Sequence, residues 1–148
     1  MLAKDLNKTA KDSYKVLEDH KYFEEVKEIE QEIYDNKNAF NKVFYFNCQD
    51  KLNQINGEFR TTYGELKALQ DTYIAVRKVE MLQNKKCICV NNTVVNLSRE
   101  PGNDLLTEFA RSEITELTSK VSIIYNWLLR IEGSILVCRN HVYGSGLK

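Results

Sequence analysis

Four cysteines and two histidines are the residues whose types and spacing best suit chemistry. Cys87-x-Cys89 and Cys138-x-x-His141 together carry three thiols and an imidazole, the donor set of a tetrahedral Cys3His zinc site. Cys138 and His141 have the i, i+3 spacing that places two ligands on one helical face. Two features weigh against the metal. A one-residue gap between cysteines is tighter than the usual zinc knuckle. Cys138 also falls on an apolar heptad position, where a free cysteine behaves as a small hydrophobe. The expectation is reduced, buried thiols, with no metal and no cofactor.

Other catalytic signatures are missing. The chain has no G-x-x-x-x-G-K-[ST] phosphate loop, no G-x-G-x-x-G, no H-E-x-x-H and no G-x-S-x-G, so the motifs that cradle phosphates, hold catalytic zinc or expose a serine nucleophile are absent. His20 lies between Asp19 and Lys21 on a charged stretch and reads as a surface residue. Carboxylates are plentiful, but they fall on polar helix faces. The reading is that the chain is not an enzyme.

Binding chemistry is the next question. Arg77-Lys78 and Lys85-Lys86, with Tyr73 close by, offer cations and a stacking ring. If subunits gathered them into a groove, they would suit single-stranded nucleic acid. Scattered helix-surface lysine explains them more simply, and no nucleic-acid-binding motif accompanies them. Lys+Arg and Asp+Glu number 21 each, leaving no net charge, which excludes a polybasic arm or an acidic tail as a whole-chain theme. Glu24, Glu25, Glu28, Glu30, Glu32 and Asp35 form a local acidic run. It reads as a solvated helix face, the alternative being an inhibitor that docks this helix on a basic host protein.

The elements that carry these residues are mostly helical. With 148 residues, 6 glycines and 1 proline, the chain suits a single domain, 1–148, with few helix breakers. Residues 1–35 read as an acidic N-terminal helix. Val26, Ile29 and Ile33 are spaced by three and four, and Phe40 and Val43 continue the pattern beyond a polar break. A heptad frame then runs through 39–84. Tyr45, Leu52, Phe59, Leu66 and Tyr73 fall on one core position; Cys48, Ile55, Thr62, Leu69 and Val76 fall on the other. Asn56-Gly57 and Gly64 are expected to kink it near 57–64. Residues 87–97 alternate around Asn91-Asn92 as a small β-hairpin would.

The strongest pattern is the last. Asp104 can cap a helix over 104–141. On it, Ile114, Leu117, Val121, Ile124, Leu128, Ile131 and Ile135 make an unbroken apolar seam, extended by Ala110, Cys138 and Val142. A further row of Ile123, Leu129, Leu136, Val137 and Tyr143 leaves apolar surface for a second neighbour, from the same chain or another. The fold class is therefore mainly α: long coiled-coil-like helices forming a helical hairpin or bundle, with the inserted hairpin.

These features predict a non-enzymatic structural or accessory subunit that self-associates through the seam of its long helices. Its partners would be copies of itself or other protein subunits. The alternative is an oligomeric accessory factor for single-stranded nucleic acid in replication or recombination. The N-terminus opens on Lys4-Asp5 with no apolar leader, and uncharged stretches fall short of the roughly 18 residues that span a bilayer. This reads as a cytoplasmic chain with no membrane partner. Lysine outnumbers arginine 15 to 6 and asparagine occurs 14 times, the bias of AT-rich genes. It suits a phage or virus, and so a place in the host-cell cytoplasm or the virion.

Overall fold

A computed structural model describes residues 2–88 and 108–144. Every regular element among them is helical: α1 (Ala3–Asp19), α2 (Tyr22–Asp35), α3 (Lys42–Ile88) and α4 (Glu108–Arg139). One π-helical turn, Asn140–Gly144, continues α4.

The spine is α3, about 70 Å long at 1.5 Å per residue. It begins where Asn41 Oδ1 accepts the Phe44 N–H at 3.1 Å, a side-chain cap on an otherwise orphaned donor. The helix then continues unbroken through Asn56-Gly57 and Gly64, and no glycine among the described residues has a positive φ. Chain outside the turn region opposes any break there. Tyr45, Leu52, Phe59, Leu66 and Tyr73 are all buried on one stripe, and a bend would turn half of that stripe away from its neighbours.

Helix α4 packs antiparallel along this stripe. Tyr45 stacks on His141, Arg60 reaches Glu132, Gln70 reaches Thr118, and Tyr73 meets Glu113. Numbers rise on one helix as they fall on the other. The predicted seam is the surface α4 presents. Leu117, Val121, Ile124, Leu128, Ile131 and Ile135 are buried in one continuous core with the α3 stripe, and Ile114 packs on a smaller cluster around Tyr73. The seam therefore lies within one chain. It had been expected to join subunits, but heptad spacing specifies a helical neighbour without saying whose helix it is.

The stretch 1–35 is two helices, where one was expected. They meet at Lys21, which takes a left-handed conformation with φ 57°. The cause is a frame shift in the apolar pattern. Leu17 and Val26 are both buried, yet nine residues separate them, and nine steps of 100° would put them on opposite faces of one helix. The corner resets the rotation so both face α3. End to end, α1 and α2 line one side of the α3–α4 pair: Lys11 pairs with Glu116, Lys120 lies over Tyr14, and Glu30 pairs with Arg130. No element among the described residues lines the opposite side.

The expected hairpin at 87–97 finds no support. Cys87 and Ile88 are the last residues of α3, 89–97 lie outside the described residues, and there is no strand among those described. Alternation is a weak signal here because Cys87-Ile88-Cys89-Val90 is also a short apolar run that a helix end can carry. Helix α4 is described from Glu108, so its expected start at Asp104 also falls outside.

Candidate functional site

The zinc set is not assembled. Cys138 sits beside Cys48 in the core at the α3 N-terminus, under the stacked Tyr45 and His141 rings, whose centroids are 4.0 Å apart. Cys87 lies 39 residues further along α3, about 58 Å away. Cys89 lies outside the described residues. Among the described residues, no group of three or more His, Cys, Asp or Glu is placed to hold a metal. Cys48 and Cys138 are both free and buried. Burial pushes the Cys48 thiol up, and burial followed by the nearby Cys48 pushes Cys138 up to about 12. At neutral pH both are thiols, the unreactive form.

The basic cluster is divided as well. Arg77 is mostly buried and donates to Glu113 Oε1 at 2.9 Å, with Glu80 at 3.4 Å. Glu113 also accepts from Asn7 Nδ2 at 2.8 Å and from the Tyr73 hydroxyl. Glu80 accepts the Ala3 N–H at 2.9 Å. This network joins three helices at the end of the bundle where α1 begins, and its charges satisfy one another. Burial first, then the hydrogen bond with Glu113, pushes Tyr73 up to about 12. Arg77 is thereby committed to the fold. Lys78 is exposed, and the side chains of Lys85 and Lys86 lie outside the description.

The acidic run is largely exposed on α2, except that Glu30 is tied to Arg130 at 2.5 Å. Tyr14, Phe23 and Trp127 line a cleft of about 420 Å³ beneath the α1–α2 corner. Its aromatic faces already carry cations from the same chain. Lys120 is over Tyr14, and Lys27 and Arg130 are over Trp127.

What remains is the outer face of α4. Between Lys120 and Arg139 the helix has only two charged residues, Arg130 and Glu132. Each is committed to another helix, Arg130 to Glu30 and Glu132 to Arg60 at 2.7 Å. The rest of this solvent-facing surface is uncharged and strongly apolar. Leu129 is 51% exposed, Leu136 52% and Tyr143 56%, with Ile123, Tyr125 and Val137 also exposed. A solvated helix face normally carries charge, and a contiguous exposed apolar patch marks a binding surface. Of the further row read from the sequence, Leu129, Leu136, Val137 and Tyr143 are exposed here, while Ile123 lines the cleft beneath the α1–α2 corner. Asn126, Gly133 and Asn140, also exposed and interleaved with this patch, were not singled out, although their heptad spacing is visible in the sequence.

By length and composition the Ala110–Gly144 helix is also apolar enough to cross a membrane, with a mean hydropathy of 1.4 over its best stretch. The sequence criterion of an uncharged run missed it because Arg130 and Glu132 interrupt the run. Here it is a member of the bundle, its inner face covered by α3.

No protein-family model matches the chain, and no curated protein or solved structure is significantly similar to it.

Proposed function

We propose that the chain is a non-enzymatic helical assembly protein, a structural or accessory subunit that self-associates through its last long helix. The face that does so is the outer one, since the inner seam is filled by α3. One observation carries the reading: α4 exposes a long apolar surface with no uncommitted charge between Lys120 and Arg139. Water hydrates such a surface poorly, and burying it against protein is favourable at about 25 cal/mol per Å².

The bundle supplies a packed helical platform for that surface, its inner face joined to α3 in one continuous core. Binding of single-stranded nucleic acid is the weaker reading, because Arg77 is spent on Glu113 and Glu80. The test is the mass in solution across a range of concentrations. Light scattering should rise above 17.3 kDa as concentration increases through the micromolar range. A constant 17.3 kDa species at every concentration would overturn the proposal.

A further inference from the structure

The outer face of α4 contains a second heptad pattern. Asn126, Leu129, Gly133, Leu136, Asn140 and Tyr143 follow a 3-4-3-4-3 spacing, and all six are exposed. Asn126, Leu129, Gly133 and Leu136 lie about 145° around α4 from the inner seam of Leu128, Ile131 and Ile135 at 100° per residue, and Asn140 and Tyr143 lie on the π-helical turn that continues it. In heptad terms the leucines and the tyrosine occupy one core position, and Asn, Gly and Asn occupy the other. The neighbouring helices leave this strip uncovered. Trp127 and Arg130 face α2 on one flank, and Arg60 and Glu132 pair across α3 on the other.

We infer that this strip pairs with the same strip of a second copy, α4 beside α4, parallel and in register about a two-fold axis. The inference rests on the self-association proposed above and names its geometry. The asparagines decide the partner. In register, Asn126 meets the partner's Asn126 and Asn140 meets the partner's Asn140. Each amide then offers a donor and an acceptor to its own copy, the arrangement by which an asparagine at this position fixes register. An apolar helix from another protein would leave both amides unpaired in a buried seam, which is costly.

Orientation follows from the same residues. An antiparallel pair would set Asn126 against Tyr143 and Asn140 against Leu129, and would bring Arg139 towards Arg130. The parallel pair avoids all three. Gly133 falls at the middle of the strip, where a Cβ would meet nothing within 4 Å in the single chain. Opposite itself, it lets the two backbones approach closely.

From Asn126 to Tyr143 the strip is about 26 Å long. It would bury on the order of 1,000 Å² over both copies, the lower bound for a specific interface. That area fits association at micromolar concentration, not a permanent dimer.

Two variants and a cross-link test this. Gly133→Glu has room in the monomer, so it should keep its helix content and melt no lower than the parent, yet scatter as 17.3 kDa where the parent self-associates. In a background with Cys87→Ser and Cys89→Ser, Leu129→Cys should cross-link to itself with a short bismaleimide. A mixture of Leu129→Cys with Asn140→Cys should give no excess of the mixed product. Self-association with cross-linking only in the mixture would mean an antiparallel pair. Self-association that Gly133→Glu leaves unchanged would mean another surface. The antiparallel result overturns this inference alone, the other-surface result also overturns the assignment of self-association to the outer face of α4, and a parent that never associates overturns the proposed function itself.

Discussion

Aspartate substitutions at Leu128 and Leu136 separate the inner face of α4 from the outer one. Leu128 is 7% exposed within the core shared with α3. Removing its side chain alone should cost about 2–5 kcal/mol. Burying a carboxylate in its place, in the apolar core shared with α3, adds several kcal/mol more. The sum is comparable with the whole stability of a small domain, about 5–15 kcal/mol, so Leu128→Asp should be largely unfolded at room temperature. Leu136 is 52% exposed, so about 1 kcal/mol of burial is at stake, with roughly 0.5 kcal/mol of helix propensity. Leu136→Asp should stay folded, melt roughly 3–6 °C lower, and lose self-association. Far-ultraviolet circular dichroism with a thermal melt reads the folding, and light scattering reads the assembly. A Leu128→Asp protein that keeps its full helix content and merely dissociates would refute the reasoning, because it would place the inner seam between subunits.

Other outcomes follow from the same structure. Gly57→Ala and Gly64→Ala meet nothing within 4 Å and sit at helical φ, so each should stabilise the chain by about 0.5–1 kcal/mol in chemical denaturation; a loss would mean that α3 is not continuous there. Tyr73 is pushed up from 10 to about 12, so it holds its proton more tightly when folded. Its contribution to stability is complete below pH 10 and is lost as pH rises towards 12. Denaturation midpoints measured across that window should fall, and Tyr73→Phe should flatten the fall. Cys48 and Cys138, buried and raised, should react with a thiol reagent only as the bundle unfolds, which mass spectrometry after brief labelling can check. Rapid labelling of either in the native protein would show that this end of the core is open.

The heptads of α3 and α4 were legible because burial at regular spacing leaves a direct mark on composition. Ile124 and Ile131 are fully buried, as are Leu52 and Phe59 opposite. Four things were hidden. The pattern could not say that the neighbour belongs to the same chain. The corner at Lys21 has no glycine or proline to announce it, only the nine-residue step from Leu17 to Val26. Phe40 and Val43 seemed to extend the apolar stripe of α2, yet Phe40 is 89% exposed and Val43 is also outside, because the turn before α3 starts a new rotational frame. The polar network was invisible for a different reason. Asn7, the Tyr73–Arg77 pair and Glu113 are far apart in the chain, and Asn7, Arg77 and Glu113 look like ordinary helix surface until three helices bring them together.

The reach of that network shapes how the chain is made. The first residues of α1 are held by Glu80 and Glu113, partners 77 and 106 residues downstream. As a nascent chain leaves the ribosome, α1 and α2 emerge well before the surfaces that bury Leu6, Leu17 and Val26 exist. Contacts this distant in sequence form late, so α1 and α2 wait in water while the α3–α4 hairpin is synthesised. The charge crowded onto α2 suits that interval, because like-charged segments repel one another and so keep apart neighbouring unfinished chains on one polysome. The outer strip of α4 becomes available only after this wait, since α4 follows the other three helices in the chain.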